Sequence, residues 1–177
     1  MRATFTIVAM LALTMVAPRA YSQVKLGFAA GPGWATDGSG KPSGTHFALS
    51  ATLRPSTSLF SYRLETLLDG AAQAMSSAGA TSAEHRHATF ALTLSAVRRF
   101  SKRAQGPYVI AGVGLYHQWN ETVQGDERTN LWAKLSPGAS AGIGVNFPVR
   151  GQEMFIETRY HTTGFESRVP VSLGIRI

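Results

Sequence analysis

The last nine residues of the chain alternate without a break. Val169, Val171, Leu173, Ile175 and Ile177 share one parity, while Ser172, Gly174 and Arg176 share the other. A β-strand points successive side chains to opposite faces, so this stretch has one wholly apolar face and one small or charged face. Seven earlier segments have the same strand character: Val24–Gly33, Thr45–Arg54, Leu59–Leu68, His87–Arg98, Pro107–Gln118, Leu131–Phe147 and Glu153–His161. Phe47, Leu49, Ala51 and Leu53 oppose His46, Ser50 and Thr52. Phe90, Leu92, Leu94 and Ala96 oppose Thr89, Thr93 and Ser95. Period-two alternation over about 9–11 residues is the pattern of a tilted strand crossing a bilayer.

Two segments are less regular. Pro107–Gln118 has a choice of outward faces, Val109, Ala111, Val113 and Leu115 or Tyr108, Ile110 and Tyr116. The first is preferred because it turns Gly112 and Gly114 inward, where a narrow barrel is crowded. Pro137-Gly138 in the sixth segment predicts a bulge or bend.

The N-terminus reads as a targeting segment. Arg2 precedes an apolar core from Phe5 to Ala17, and Ala20-Tyr21-Ser22 offers small residues at both positions a signal peptidase inspects. A Sec-type signal peptide over 1–22, cut after Ser22, leaves one domain over 23–177. No later run reaches the roughly 18 apolar residues a spanning helix needs, so entry into a membrane requires a closed barrel. The chain has no Cys, which excludes a disulfide framework and a lipoprotein anchor. Its 17 Lys and Arg outnumber 10 Asp and Glu. The only dense basic cluster is Arg98-Arg99 with Lys102-Arg103, which suits lipid phosphates better than nucleic acid.

The connections alternate in length. Trp34–Gly44, Asp69–Arg86 and Trp119–Asn130 are long, whereas Pro55–Ser58, Arg99–Gly106 and Pro148–Gln152 are tighter; Thr162–Arg168 is the shortest on the long-loop side. Long loops on one side and short turns on the other are the pattern of an outer-membrane barrel. The aromatics sort in the same frame. Trp34, Trp119 and Trp132 border the long loops; Phe60, Phe100, Tyr108, Phe147 and Phe155 border the turns. These eight are expected to form two interfacial belts.

Pro107–His117, Phe155–His161 and Val169–Ile177 carry a resemblance to the small eight-stranded outer-membrane β-barrels of the OmpA/OmpX type. It covers essentially the whole chain after Ser22. The resemblance implies an all-β, eight-stranded, antiparallel up-and-down transmembrane β-barrel in the outer membrane. Implied partners are outer-membrane lipids and lipopolysaccharide, together with the assembly machinery acting on Val169–Ile177. The family's closing strand generally ends in an aromatic; this one ends in Ile177.

With the apolar parity outward, Arg63, Glu65, Glu157, Arg159 and Arg176 point inward, and Lys25 and Lys134 join that side. An eight-stranded barrel is just wide enough for its side chains to fill, and buried charges must pair. An interior ion-pair network is therefore expected, with no open pore. The leading function is structural, adhesive or interactive, carried by the loops and above all by Asp69–Arg86; the loop partner is unknown.

Two alternatives come from other classes. Glu157, His161 and Thr162-Thr163-Gly164 are similar to the late-strand His, Ser and Glu of outer-membrane lipid A deacylases, with Thr where that family has Ser and Gly where it has Asn. A soluble lipocalin-like barrel binding an apolar ligand would need the opposite parity, apolar side inward. His85-Arg86-His87 is weak as a metal site, and no cofactor, metal or nucleic-acid motif is expected.

Overall fold

The computed structural model describes residues 22–35, 42–55, 58–75, 83–101, 105–124, 127–164 and 166–177. They form β1 (Ser22–Ala35), β2 (Pro42–Pro55), β3 (Phe60–Met75), β4 (Ala83–Arg99), β5 (Gly106–Gln124), β6 (Glu127–Val149), β7 (Gln152–Thr163) and β8 (Ser167–Arg176). Each strand pairs with the next, and β8 pairs with β1, so the sheet closes as an eight-stranded antiparallel barrel. Closure satisfies the backbone polar groups that an open edge would leave unpaired. At the seam Leu26 and Ile177 exchange both backbone hydrogen bonds, at 3.0 and 2.9 Å. No described helix is long and apolar enough to cross a membrane. The expected signal peptide lies outside the described residues, apart from Ser22.

All eight expected segments are strands, and most run longer than their hydropathy suggests. β3 and β4 stay paired as far as Met75↔Ala83, so most of the expected loop Asp69–Arg86 is hairpin. Likewise β5 and β6 pair out to Gln124↔Glu127, inside the expected loop Trp119–Asn130. Once two strands are aligned, backbone pairing continues without needing an apolar face, and a hydropathy pattern does not report it.

The expected irregularity at Pro137-Gly138 is elsewhere. Register is continuous through Leu115↔Pro137, and it shifts instead between Asn120 and Glu121, whose partners are Trp132 and Asn130. Pro137 lies one residue beyond Gly138↔Thr163, the last β6–β7 pair, where its missing N–H costs the β7 ladder nothing. Between β6 and β7, Arg150 (φ 51°) and Gly151 (φ 84°) form a two-residue connection inside the Val149↔Gln152 pair. Positive φ at both positions is the geometry that matches the twist of a tight hairpin.

Side-chain polarity is inverted relative to a soluble barrel. Leu92 and Leu94 on β4 are exposed on the outer wall, while Thr93 and Ser95 between them are each 1% exposed. On β5 the preferred facing holds: Val109, Ala111, Val113 and Leu115 face out, and Tyr108, Ile110 and Tyr116 face in. Gly112 and Gly114 share the inner face, and a Cβ there would collide with Ser95 and Thr93 of β4. The lipocalin-like alternative, which requires an apolar interior and a polar exterior, is excluded by this arrangement.

Candidate functional site in the barrel lumen

The lumen is filled by charge. β3 and β7 stand on opposite walls of the ring and run in the same direction. Arg63 and Glu65 point inward from β3, Glu157 and Arg159 from β7, and all four are at most 5% exposed. Because the order of charge is reversed between the two strands, each acid faces a base. Arg63 Nη1 donates to both carboxylate oxygens of Glu157, at 3.1 and 2.9 Å. Arg159 holds Glu65 through two parallel bonds of 2.8 and 3.0 Å. Arg159 Nε also donates to Glu157, closing the four residues into one network.

Glu157 accepts a further bond, 2.6 Å, from Tyr108 Oη on β5. Tyr108 and Phe155 therefore do not belong to the interfacial belt expected of them; they are 1% and 2% exposed and lie inside. Height along a strand placed them near the interface, but parity decides the face. Tyr108 alternates with Val109, and Phe155 alternates with Met154 and Ile156. Each ring covers a glycine directly opposite on the next strand, Tyr108 over Gly144 and Phe155 over Gly174, where a Cβ would strike the ring. The rings also receive cations. Arg176 lies 4.1 Å from the Phe155 centroid, and Arg63 lies 5.6 Å from it.

The other belt residues divide by what surrounds them. Phe60 and Phe100 are exposed on the outer wall at the turn end, and Phe147 is half-buried on the same side. Trp34 and Trp119 occupy outward positions near the loop end and are half-buried. The side chain of Trp132 lies outside the described residues.

Arg176 joins a second group at the turn end rather than the central four. It donates to Glu153 at 2.8 Å and to Asn146 at 2.7 Å, and Lys25 donates to the other Glu153 oxygen at 2.7 Å. Its link to the centre is a 3.4 Å bond to Tyr108 Oη. Lys134, opposite Gln118 in register, is exposed near the loop end.

A third group crosses the loop-end mouth. Arg168 on β8 pairs with Asp69 on β3 at 2.8 Å and with Glu166 at 2.7 Å. Glu166, in the short β7–β8 connection, also accepts from Gln118 at 3.0 Å and lies 3.1 Å from His87 Nε2. Burial pushes the Glu166 carboxyl up, but His87 and Arg168 outweigh it and hold the group below its ordinary range.

Sequence reading missed Asp69, Glu153, Glu166 and Arg168 as lumen residues. Parity carried the signal for three of them. Asp69 continues the Arg63–Glu65 face once β3 is extended, Glu153 precedes Glu157 on the same face, and Arg168 shares the face of Arg176. Glu166 lies in a connection, where no alternation applies.

The three groups divide the lumen into small voids of about 20 Å³ above the central network, about 10 Å³ beside it and about 20 Å³ below. Each of these three is of the order of a single water. The deacylase-like grouping is not assembled. His161 is buried in the lumen and its Nδ1 bonds Tyr116 Oη at 3.0 Å. The Thr162 hydroxyl bonds Ser167 and the Thr163 carbonyl. Glu157 is taken up by its arginines. Among the described residues, no group of three His, Asp or Glu side chains is arranged to hold a metal ion.

No protein-family model and no curated relative matches the sequence. Solved structures do match. Neisserial surface protein A superposes with a TM-score of 0.58 at 13% identity, covering 88% of this chain and 97% of that one. Ail, the attachment invasion locus protein of Yersinia pestis, does so with 0.56 at 13% identity and the same coverage. Both are similar in fold along nearly their whole length, and this chain has the architecture of the small eight-stranded barrels.

Proposed function

We propose that the chain is an exported outer-membrane protein, with a signal peptide over 1–22 and a barrel over 23–177 that spans the bilayer as a plugged cylinder. The inverted wall carries this reading. Val113, Leu135 and Ile143 are each more than 60% exposed on the outside, while Arg63, Glu157 and Arg159 are buried within. In water such a continuous apolar band exceeds what a soluble monomer exposes, whereas in lipid it is the favourable face. Outer-membrane lipids and lipopolysaccharide are the proposed surroundings, and Val169–Ile177 is the proposed recognition segment for the assembly machinery.

The role proposed for the barrel is structural, adhesive or interactive rather than conducting. Its contact surface is the loop end, where β3–β4 and β5–β6 continue as hairpins past the point at which β7 stops. Function on rigid scaffolds concentrates in such projections. A barrel of similar fold, Ail, carries attachment in its own name. Membrane fractionation tests the reading: the protein is expected in the outer-membrane fraction, with gel mobility that changes on heating. Recovery as a soluble periplasmic monomer contradicts it.

A further inference from the structure

One part of the outer wall is concave. Phe100, Val109, Ile143, Val145, Ile156 and Val171 line an apolar groove of about 560 Å³ near the turn end, within the size range of sites for small apolar ligands. Its axis follows cross-strand pairing. Val109 faces Ile143, Ile143 faces Thr158, and Thr158 faces Val171. These are short, mostly β-branched side chains; in the row above Ala111 and Ala141 add little bulk, and Tyr160, the partner of Ala141 on β7, stands exposed beyond them. Phe100, 60% exposed, forms one wall.

Beyond the groove lining the same row continues to a cation, Arg98 on β4, and then to Phe60 on β3. Arg98 is the cross-strand partner of Val109, exposed on the outer wall one residue before the end of β4. Its guanidinium lies 5.6 Å from the Phe60 ring and pairs with no described carboxylate. From Arg98 to Val171 the row crosses four strand spacings, about 19 Å. It runs from the turn rim toward the middle of β8, the direction an acyl chain takes from a headgroup into the hydrocarbon.

We propose that this groove binds one anionic phospholipid, with an acyl chain along Val109, Ile143, Thr158 and Val171 and the phosphate at Arg98. The proposal rests on the membrane reading above. A zwitterionic lipid fills the groove equally well but gains less from Arg98, so the site selects by headgroup charge. Lysine and arginine near an anionic headgroup surface strengthen binding by about fivefold each.

The test is native mass spectrometry of the full barrel released from micelles doped with equal phosphatidylglycerol and phosphatidylethanolamine. The wild-type protein is expected to retain one phosphatidylglycerol at about fivefold excess. Arg98→Gln abolishes the excess, Ile143→Trp lowers retention of both lipids, and Arg150→Gln changes neither. Equal retention by the wild-type protein, an unchanged excess in Arg98→Gln, or full displacement by inorganic phosphate overturns the site. Heat-modifiable mobility of every variant shows that it is folded. Loss of that mobility in the wild-type protein contradicts the membrane reading instead.

Discussion

Arg63 and Glu157 meet across the full width of the barrel, one from β3 and the other from the opposite wall. With Glu65 and Arg159 they make two reciprocal pairs with no net charge. Removing one member leaves a buried charge without its partner, so Glu157→Ala is expected to destabilise the barrel by about 3–5 kcal/mol. Urea titration of the protein folded into lipid vesicles measures this. A loss well under 1 kcal/mol would show that water already solvates the pair.

The same four side chains obstruct the lumen. Replacing all four by Ser removes two acids and two bases, so it leaves the net charge of the interior unchanged while removing the bulk at its centre. Planar-bilayer recording is expected to show no steady conductance for the wild-type protein and a small one for the fourfold variant. An equal conductance in both would mean that the network does not plug the barrel.

Inner-wall glycines make room for the aromatic rings that support this network. A Cβ at Gly144 would meet the Tyr108 ring and come within 2.9 Å of the Ile156 carbonyl. Tyr108 cannot retreat without losing its bond to Glu157. Gly144→Ala is therefore expected to cost about 1–3 kcal/mol, as overpacking does. Gly164→Ala, with nothing within 4 Å of its Cβ position, is expected to stay within about 0.5 kcal/mol of wild type. Unfolding midpoints of the two variants make the comparison.

The mouth group is expected to respond to acid. Glu166 is held below its ordinary pKa of 4.5 in the folded protein. A depressed carboxyl stabilises the fold above its unfolded pKa, and that contribution is lost as pH falls through the lower, folded value. Hydrogen exchange in residues 162–168 should thus be slow at neutral pH and rise below about pH 4.5. In Glu166→Gln the exchange should be raised at neutral pH and should lack that acid-induced step.

Much of this architecture is legible in the residues. Alternation located all eight strands, and the reversed order of Arg63-Leu64-Glu65 and Glu157-Thr158-Arg159 already encodes complementary pairs on strands of one direction. Strand ends were less legible, because alternation fades beyond the apolar band: on β5 both parities are half-buried from Trp119 to Val123. Tyr108 and Phe155 were misplaced because aromatics near a strand end suit two environments, and only their neighbours' parity separates them. Glu166 was invisible because its role depends on where a three-dimensional turn sits over the mouth.

The central claim is that the apolar wall faces lipid and the charged wall faces the lumen. Single Cys variants at Leu92 and Thr93, adjacent on β4 and on opposite faces, test it most directly. Each is labelled with a small fluorophore in the protein folded into vesicles that carry a lipid-bound quencher. The account predicts strong quenching at position 92 and little at position 93. Quenching at 93 but not 92, or at neither, would contradict it.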